Sequence, residues 1–121
     1  MAVNSCEDLI VWQKAMDLTI EVYRLVKFLP REETYALSDQ MRRAVISIPS
    51  NIAEGHGRNS NKEFANFLSI ARGSLSELKT QLLICQRLNY FSEAESEFAL
   101  NLCTEIYKIL NTFISKLRQK I

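Results

Sequence analysis

Apolar residues recur at every third or fourth position through almost the whole chain, a spacing that dictates helix. Leu9, Trp12, Met16, Thr19, Tyr23 and Val26 make one such row, and Val11, Ala15, Leu18, Val22, Leu25 and Leu29 a second. On a helix turning about 100° per residue the two rows lie about 115° apart, so well over half of this first helix is apolar. Gln13, Lys14, Asp17, Glu21, Arg24 and Lys27 fill the remaining face. With 3 Gly and 2 Pro in 121 residues there is almost no loop or linker material, and no internal repeat is visible.

Start and stop signals divide the chain into four predicted helices, at about 7–28, 38–55, 60–88 and 93–120, in one domain spanning 1–121. Ser5 with Asp8 resembles a capping box, and Pro30 in "LPREET" disfavours helix at Leu29. Ser38 reads as the second N-cap. Met41, Ala44, Val45, Ile48 and Ile52 follow it as a core row. Pro49 falls inside that helix, where a missing N–H and a crowded carbonyl predict a bend. Gly55 and Gly57 then predict a left-handed exit towards Ser60. Ser60 with Glu63 and Ser92 with Glu95 are capping boxes, and Asn89 suits the position just past a helix end. The third helix places Phe64, Phe67, Leu68, Ala71, Leu75 and Leu78 on its core side. The fourth carries Ala99, Leu102, Ile106, Leu110, Phe113 and Ile114.

Long helices joined by short connections pack as antiparallel neighbours, which predicts an all-α, up-down four-helix bundle. Helices one and two are apolar on two adjacent faces, more than one bundle core uses. The excess is expected to be covered by another copy of the chain, giving a homo-oligomer.

The totals narrow the function. A net charge of +1 weighs against a dedicated polyanion binder. Cys6, Cys85 and Cys103 are odd in number and widely spaced, and there is one histidine. That pattern fits a reduced, cytoplasmic protein with neutral thiols rather than a disulfide or zinc scaffold. "MAVNSCEDL" lacks the charge and apolar pattern of a leader, and no apolar run is long enough to cross a membrane. Glu54-Gly55-His56 is Glu-x-His, which puts the two side chains on nearly opposite helix faces, so no metal site is expected there and His56 reads as an exposed loop residue. "GHGRNSNK" is not a phosphate loop, and no cysteine has an evident histidine partner. No catalytic residue and no cofactor are expected.

Four stretches carry a family likeness: "NSCEDLIVWQKAMDL", "QMRRAVISIPSNIAEGHGR", "EFANFLSIARGSLSELKTQLL" and "RLNYF". In this order, and over nearly the whole chain, the sequence resembles the 23S rRNA-intervening-sequence protein family, also called the four-helix-bundle protein family. Its most specific parts here are S-I-P-x-N-I-A-E-G and I-A-R-G-S-x-x-E-L. The resemblance implies an antiparallel four-helix bundle that assembles into a ring-like homopentamer, with no established enzymatic activity. A related branch comprises the accessory proteins of diversity-generating retroelements, basic pentamers that bind nucleic acid. The family signature falls on Trp12, Arg42, Arg43, Ser47, Pro49, Asn51, Glu54, Gly55, Arg72, Gly73, Ser74, Glu77 and Leu78. Cys6 stands where an aromatic residue is usual and Lys79 where an acid is common.

Within that frame Asn51 and Glu54 are expected to join a polar network with Ser74 and Glu77. Ala71, Gly73 and Ser74 are expected to allow close helix approach. Lys62, Arg72, Lys79 and Arg87 fall within about 100° of one another around helix three, a basic stripe. Together with Arg42 and Arg43 they are the candidate nucleic-acid-binding residues. The leading expectation is a cytoplasmic, non-enzymatic scaffold or adaptor whose partners are its own copies and another protein. The alternative is an accessory protein that binds RNA or DNA.

Overall fold

The structure is a computed structural model that describes residues 5–121. Four helices account for most of it: α1 (Ile10–Val26), α2 (Leu37–His56), α3 (Asn61–Arg87) and α4 (Glu93–Gln119). Two short 3-10 turns, Cys6–Asp8 and Arg31–Glu33, precede α1 and α2. Among the described residues there is no strand. Each helix packs against the next and α4 returns to α1, while the backbones of α1 and α3, like those of α2 and α4, come nowhere close to each other. The four helices therefore stand at the corners of a square, an antiparallel bundle around one apolar centre.

Of the two apolar rows on α1, the second is the core row. Val11, Ala15, Leu18, Val22 and Leu25 are buried, whereas Trp12 is half-buried and Met16 and Tyr23 are exposed. A square bundle admits one stripe from each helix, and the core row faces α2 and α4 together. Ile48 and Ile52 of α2, Leu68, Leu75, Leu78 and Leu82 of α3, and Ile106 and Leu110 of α4 complete the interior. Phe64 and Phe67, expected in the core row of α3, lie half-buried at its edge, and Ala65 takes the buried place.

The helix ends differ from the sequence reading in instructive ways. Ser5 accepts a bond from the Glu7 N–H (3.2 Å) and so caps the 3-10 turn, not α1, which starts after an extended Leu9. Ser38 is buried in the first turn of α2, and Ala36 precedes that helix with no side-chain cap. Gly57 has a φ of −78°, so α2 leaves through right-handed backbone and no left-handed exit forms. Ser60 caps α3 through the Glu63 N–H (3.1 Å), while the Glu63 carboxylate lies towards Arg58 (3.7 Å) instead of closing the box. At α4 the box is complete: the Ser92 N–H donates to Glu95 Oε1 (2.8 Å) and the Glu95 N–H to Ser92 Oγ (3.0 Å). Asn89 closes α3 as expected, with a φ of 61°. The Tyr90 N–H reaches the Cys85 carbonyl and the Asn89 N–H the Gln86 carbonyl, both at 3.0 Å, the Schellman pattern.

Helix α2 runs unbroken through Pro49, which is buried. Proline cannot donate to the carbonyl of Val45, and a buried carbonyl without a partner is unfavourable. The Thr19 hydroxyl of α1 donates to the Ala15 carbonyl (2.8 Å) and lies 3.5 Å from the Val45 carbonyl, so the missing donor is partly replaced from the neighbouring helix.

Candidate functional site

Ser47, Asn51 and Ser74 meet where α2 crosses α3. The two serine hydroxyls are 2.8 Å apart, and Asn51 Nδ2 donates to the Ser47 carbonyl (2.8 Å) and to Ser47 Oγ (2.9 Å). This is the expected network in part. Glu54 is not in it: its carboxylate is exposed and pairs with Arg58 one turn later (2.9 Å). Glu77 is exposed and makes no bond to the cluster. Gly55 is the place of closest approach, since a Cβ there would stand 2.7 Å from Phe67 Cβ and 3.0 Å from the Phe64 ring. Gly73 has no such role, because a Cβ there would meet nothing within 4 Å. His56 is the last residue of α2, half-buried and edge-on to Phe64 at 5.9 Å, not an exposed loop residue. The Arg58 guanidinium covers the Phe67 ring at 4.9 Å. The cluster ties two helices together and contains no titratable group to act as acid or base.

The candidate basic residues are spread out. Arg42 is half-buried and reaches the Thr34 carbonyl at 3.5 Å, and Arg43 pairs with Asp39 at 2.9 Å. Arg72 donates to Asn111 Oδ1 at 2.8 Å and so crosses from α3 to α4. Lys62, Lys79 and Arg87 are exposed with no ion pair among the described residues. Lys62 and Arg87 are about 37 Å apart along the helix, too far to contact one phosphate group together.

Lys79 nevertheless belongs to a built feature. A cleft of 530 Å³ runs between α3 and α4, lined by Ser76, Lys79, Thr80 and Leu83 on one side and Thr104, Tyr107 and Lys108 on the other. One helical turn further along, Arg72, Asn111, Ser115 and Arg118 line a second hollow of 380 Å³. Arg118 is held by Ser69 Oγ at 3.1 Å. Neither lining contains an acid, although the chain as a whole has 14 acidic against 15 basic residues. Two lysines, two arginines, hydroxyls and a half-exposed tyrosine ring are the groups that hold phosphodiesters and stack on bases. Tyr107, Lys108, Asn111 and Arg118 were not singled out from the sequence as binding residues. The missing signal is the register between α3 and α4, which places Tyr107 and Lys108 opposite Lys79.

Two of the thiols, Cys85 and Cys103, are buried and held protonated. Burial pushes the Cys85 thiol up to about 11, with Glu33 adding to the effect. Burial pushes Cys103, at the floor of the cleft, up to about 12 against the opposing charge of Lys79. All three cysteines are free. Among the described residues no three His, Cys, Asp or Glu side chains are grouped to hold a metal ion. Among the described residues no helix is long and apolar enough to cross a membrane. The leader reading rests partly on residues 1–4, which lie outside the described residues.

Comparison with known proteins adds two findings. The sequence profile described as 23S rRNA-intervening sequence protein matches residues 7–112. The fold is similar to the crystal structure of a protein of unknown function from the S23 ribosomal protein family of Bacteroides thetaiotaomicron. That likeness has a TM-score of 0.80 and 31% identity, covering 87% of this chain and 98% of that one. No curated protein matches the chain.

Proposed function

This chain belongs to the 23S rRNA-intervening sequence protein family, and from that premise we propose that it acts as a non-enzymatic, self-assembling scaffold or adaptor in the cytoplasm. One observation carries the reading: the unused apolar row of α1. Met16 is 38% exposed, Tyr23 39% and Ile20 70%, and Ile46 of α2 is 43% exposed beside them. Side chains of this size at helical spacing along one edge make a contiguous patch of the kind that protein contacts cover. A ring-like homopentamer is the assembly proposed, in keeping with what the family resemblance implies. Light scattering across a dilution series tests it. A mass well above the single-chain 14.0 kDa that falls only on strong dilution supports the scaffold, and a single-chain mass at all concentrations refutes it.

A second reading is favoured by the acid-free lining of the α3/α4 cleft: binding of RNA or DNA through its phosphates, as an accessory protein would. Arg72, Lys79, Lys108 and Arg118 are its cations and Tyr107 its stacking surface. Repetition of the cleft around a ring would multiply a weak contact. Anisotropy of a labelled single-stranded RNA at low and near-physiological salt tests this reading. Binding that weakens with salt and is lost on Lys79→Glu with Lys108→Glu supports it. Equal binding by that double variant, or none by the wild type, removes it.

A further inference from the structure

The cleft between α3 and α4 is bounded at both ends. Arg72 of α3 donates to Asn111 of α4 at 2.8 Å, and Gln86 of α3 donates to Ser96 of α4 at 2.7 Å. These two cross-helix bonds stand about 21 Å apart along α3. The 530 Å³ between them falls within the range of about 300–1,000 Å³ typical of small-molecule sites. A strand of nucleic acid tracks a groove that runs on past its contacts, whereas this cleft carries a rung at each end.

The lining supplies three kinds of group. Lys79 comes from α3 and Lys108 from α4, and neither has an ion pair or hydrogen bond among the described residues. The nearest acids in sequence are turned elsewhere: Glu105 pairs with Lys14 of α1, and Glu77 lies about 160° from Lys79 around α3. The Lys79 charge is felt at the Cys103 thiol on the cleft floor, where it works against the upward push of burial. Two like charges that share one cleft repel each other, and an anion seated between them relieves the repulsion. Leu75 and Cys103, each 2% exposed, close the floor, and the Tyr107 ring, 45% exposed, adds an aromatic surface. The Thr80 and Thr104 hydroxyls donate to the Ser76 and Leu100 carbonyls of their own helices (3.0 and 3.2 Å), so they offer a ligand acceptors only. The ligand that matches this set has a compact anion, a flat ring and donors of its own. Inorganic phosphate lacks the ring, and a fatty acid lacks both the ring and the donors.

We infer that the α3/α4 cleft is a binding site for one free nucleoside monophosphate, with the phosphate between Lys79 and Lys108 and the base against Tyr107. The Thr80 and Thr104 oxygens accept from the ribose hydroxyls. The inference rests on the second reading's assignment of these cations to phosphate, and it narrows the occupant from a strand to a single nucleotide.

Equilibrium dialysis of the protein against radiolabelled adenosine 5′-monophosphate at near-physiological salt tests it, with adenosine and ribose 5-phosphate as competitors. The nucleotide should bind saturably. Each competitor lacks either the phosphate or the base and should displace it about tenfold less well than the unlabelled nucleotide. Lys79→Gln with Lys108→Gln should weaken binding by about tenfold or more, since both charge-assisted contacts go. Tyr107→Ala should weaken it by about tenfold, and Tyr107→Phe, which keeps the ring, should restore it. All three positions are exposed, and the helical circular dichroism signal checks that the variants fold. No saturable binding of the nucleotide overturns the inference, and so does binding that the double lysine variant leaves unchanged. Ribose 5-phosphate as strong as the nucleotide overturns it too, because the base would then make no contact. A labelled single-stranded RNA separates the two readings. RNA held through Lys79 and Lys108 while the nucleotide neither binds nor competes overturns the single-nucleotide site and leaves the second reading standing. Nucleotide bound in the cleft with no RNA binding upholds the inference and removes that reading.

Discussion

Gly55 and Gly73 both fall in the stretches that carry the family resemblance, and both lie in helix, yet the structure surrounds them in opposite ways. At Gly55 the next helix fills the space: Phe67 Cβ and the Phe64 ring stand where a side chain would go. At Gly73 there is nothing within 4 Å. The first glycine is explained inside one chain by the tight crossing of α2 over α3. The second has no explanation inside the chain. A glycine that the packing requires and one that it does not look alike in sequence, and only the space around the missing Cβ tells them apart.

Substitutions at and around these positions sharpen or break that contrast. Gly55→Ala should show the largest effect, destabilising by about 1–3 kcal/mol, since the backbone-proximal Phe67 Cβ cannot swing aside as a flexible side-chain end would. An unchanged urea midpoint would mean that the helices separate there at no cost. Next is the alkaline response of Cys85, buried in the same seam against Met41, with the two sulfurs 3.6 Å apart. Its thiol is raised from 9.0 to about 11, so the folded chain holds the proton where the unfolded chain loses it. The contribution is complete below about pH 9 and is lost as pH rises towards 11. It amounts to at most about 1.4 kcal/mol at about pH 10. Cys85→Ala should flatten the fall in stability between about pH 8 and pH 10, and an equally steep fall would place the thiol in contact with water.

Ser47→Ala comes third. It removes the hydroxyl that joins Ser74 to Asn51, at an expected loss of about 1 kcal/mol. No loss would show that solvent serves these half-buried groups equally well. Smallest and opposite in sign is Gly73→Ala. It should stabilise by about 0.4–1 kcal/mol, as alanine does where helix geometry suits it and space is open. Destabilisation would break the contrast, because the space around Gly73 would then be occupied.

Much of the architecture was legible in the amino-acid order, for local reasons. The 3/4 spacing of apolar residues identified four helices, and the caps at Ser60, Ser92 and Asn89 depend on residues a few positions apart. Where a local signal had a nearby competitor, the reading slipped. Ser5 caps a 3-10 turn because Leu9 interrupts the helix after it. Glu54 leaves the polar cluster for Arg58, which is one turn away and charged.

The sequence by itself thus determined the helices, their order and the apolar excess on α1, because helix formation and amphipathicity are settled within a few turns of chain. The tertiary structure decided which α1 row became core and which stayed exposed as a ridge. It gathered Lys79, Tyr107 and Lys108 into one acid-free cleft, set the Thr19 hydroxyl beside the carbonyl that Pro49 leaves without its donor, and filled the space at Gly55 while leaving Gly73 open. Each of these depends on the register between helices far apart in sequence, and that register is fixed only when all four helices close around a shared core.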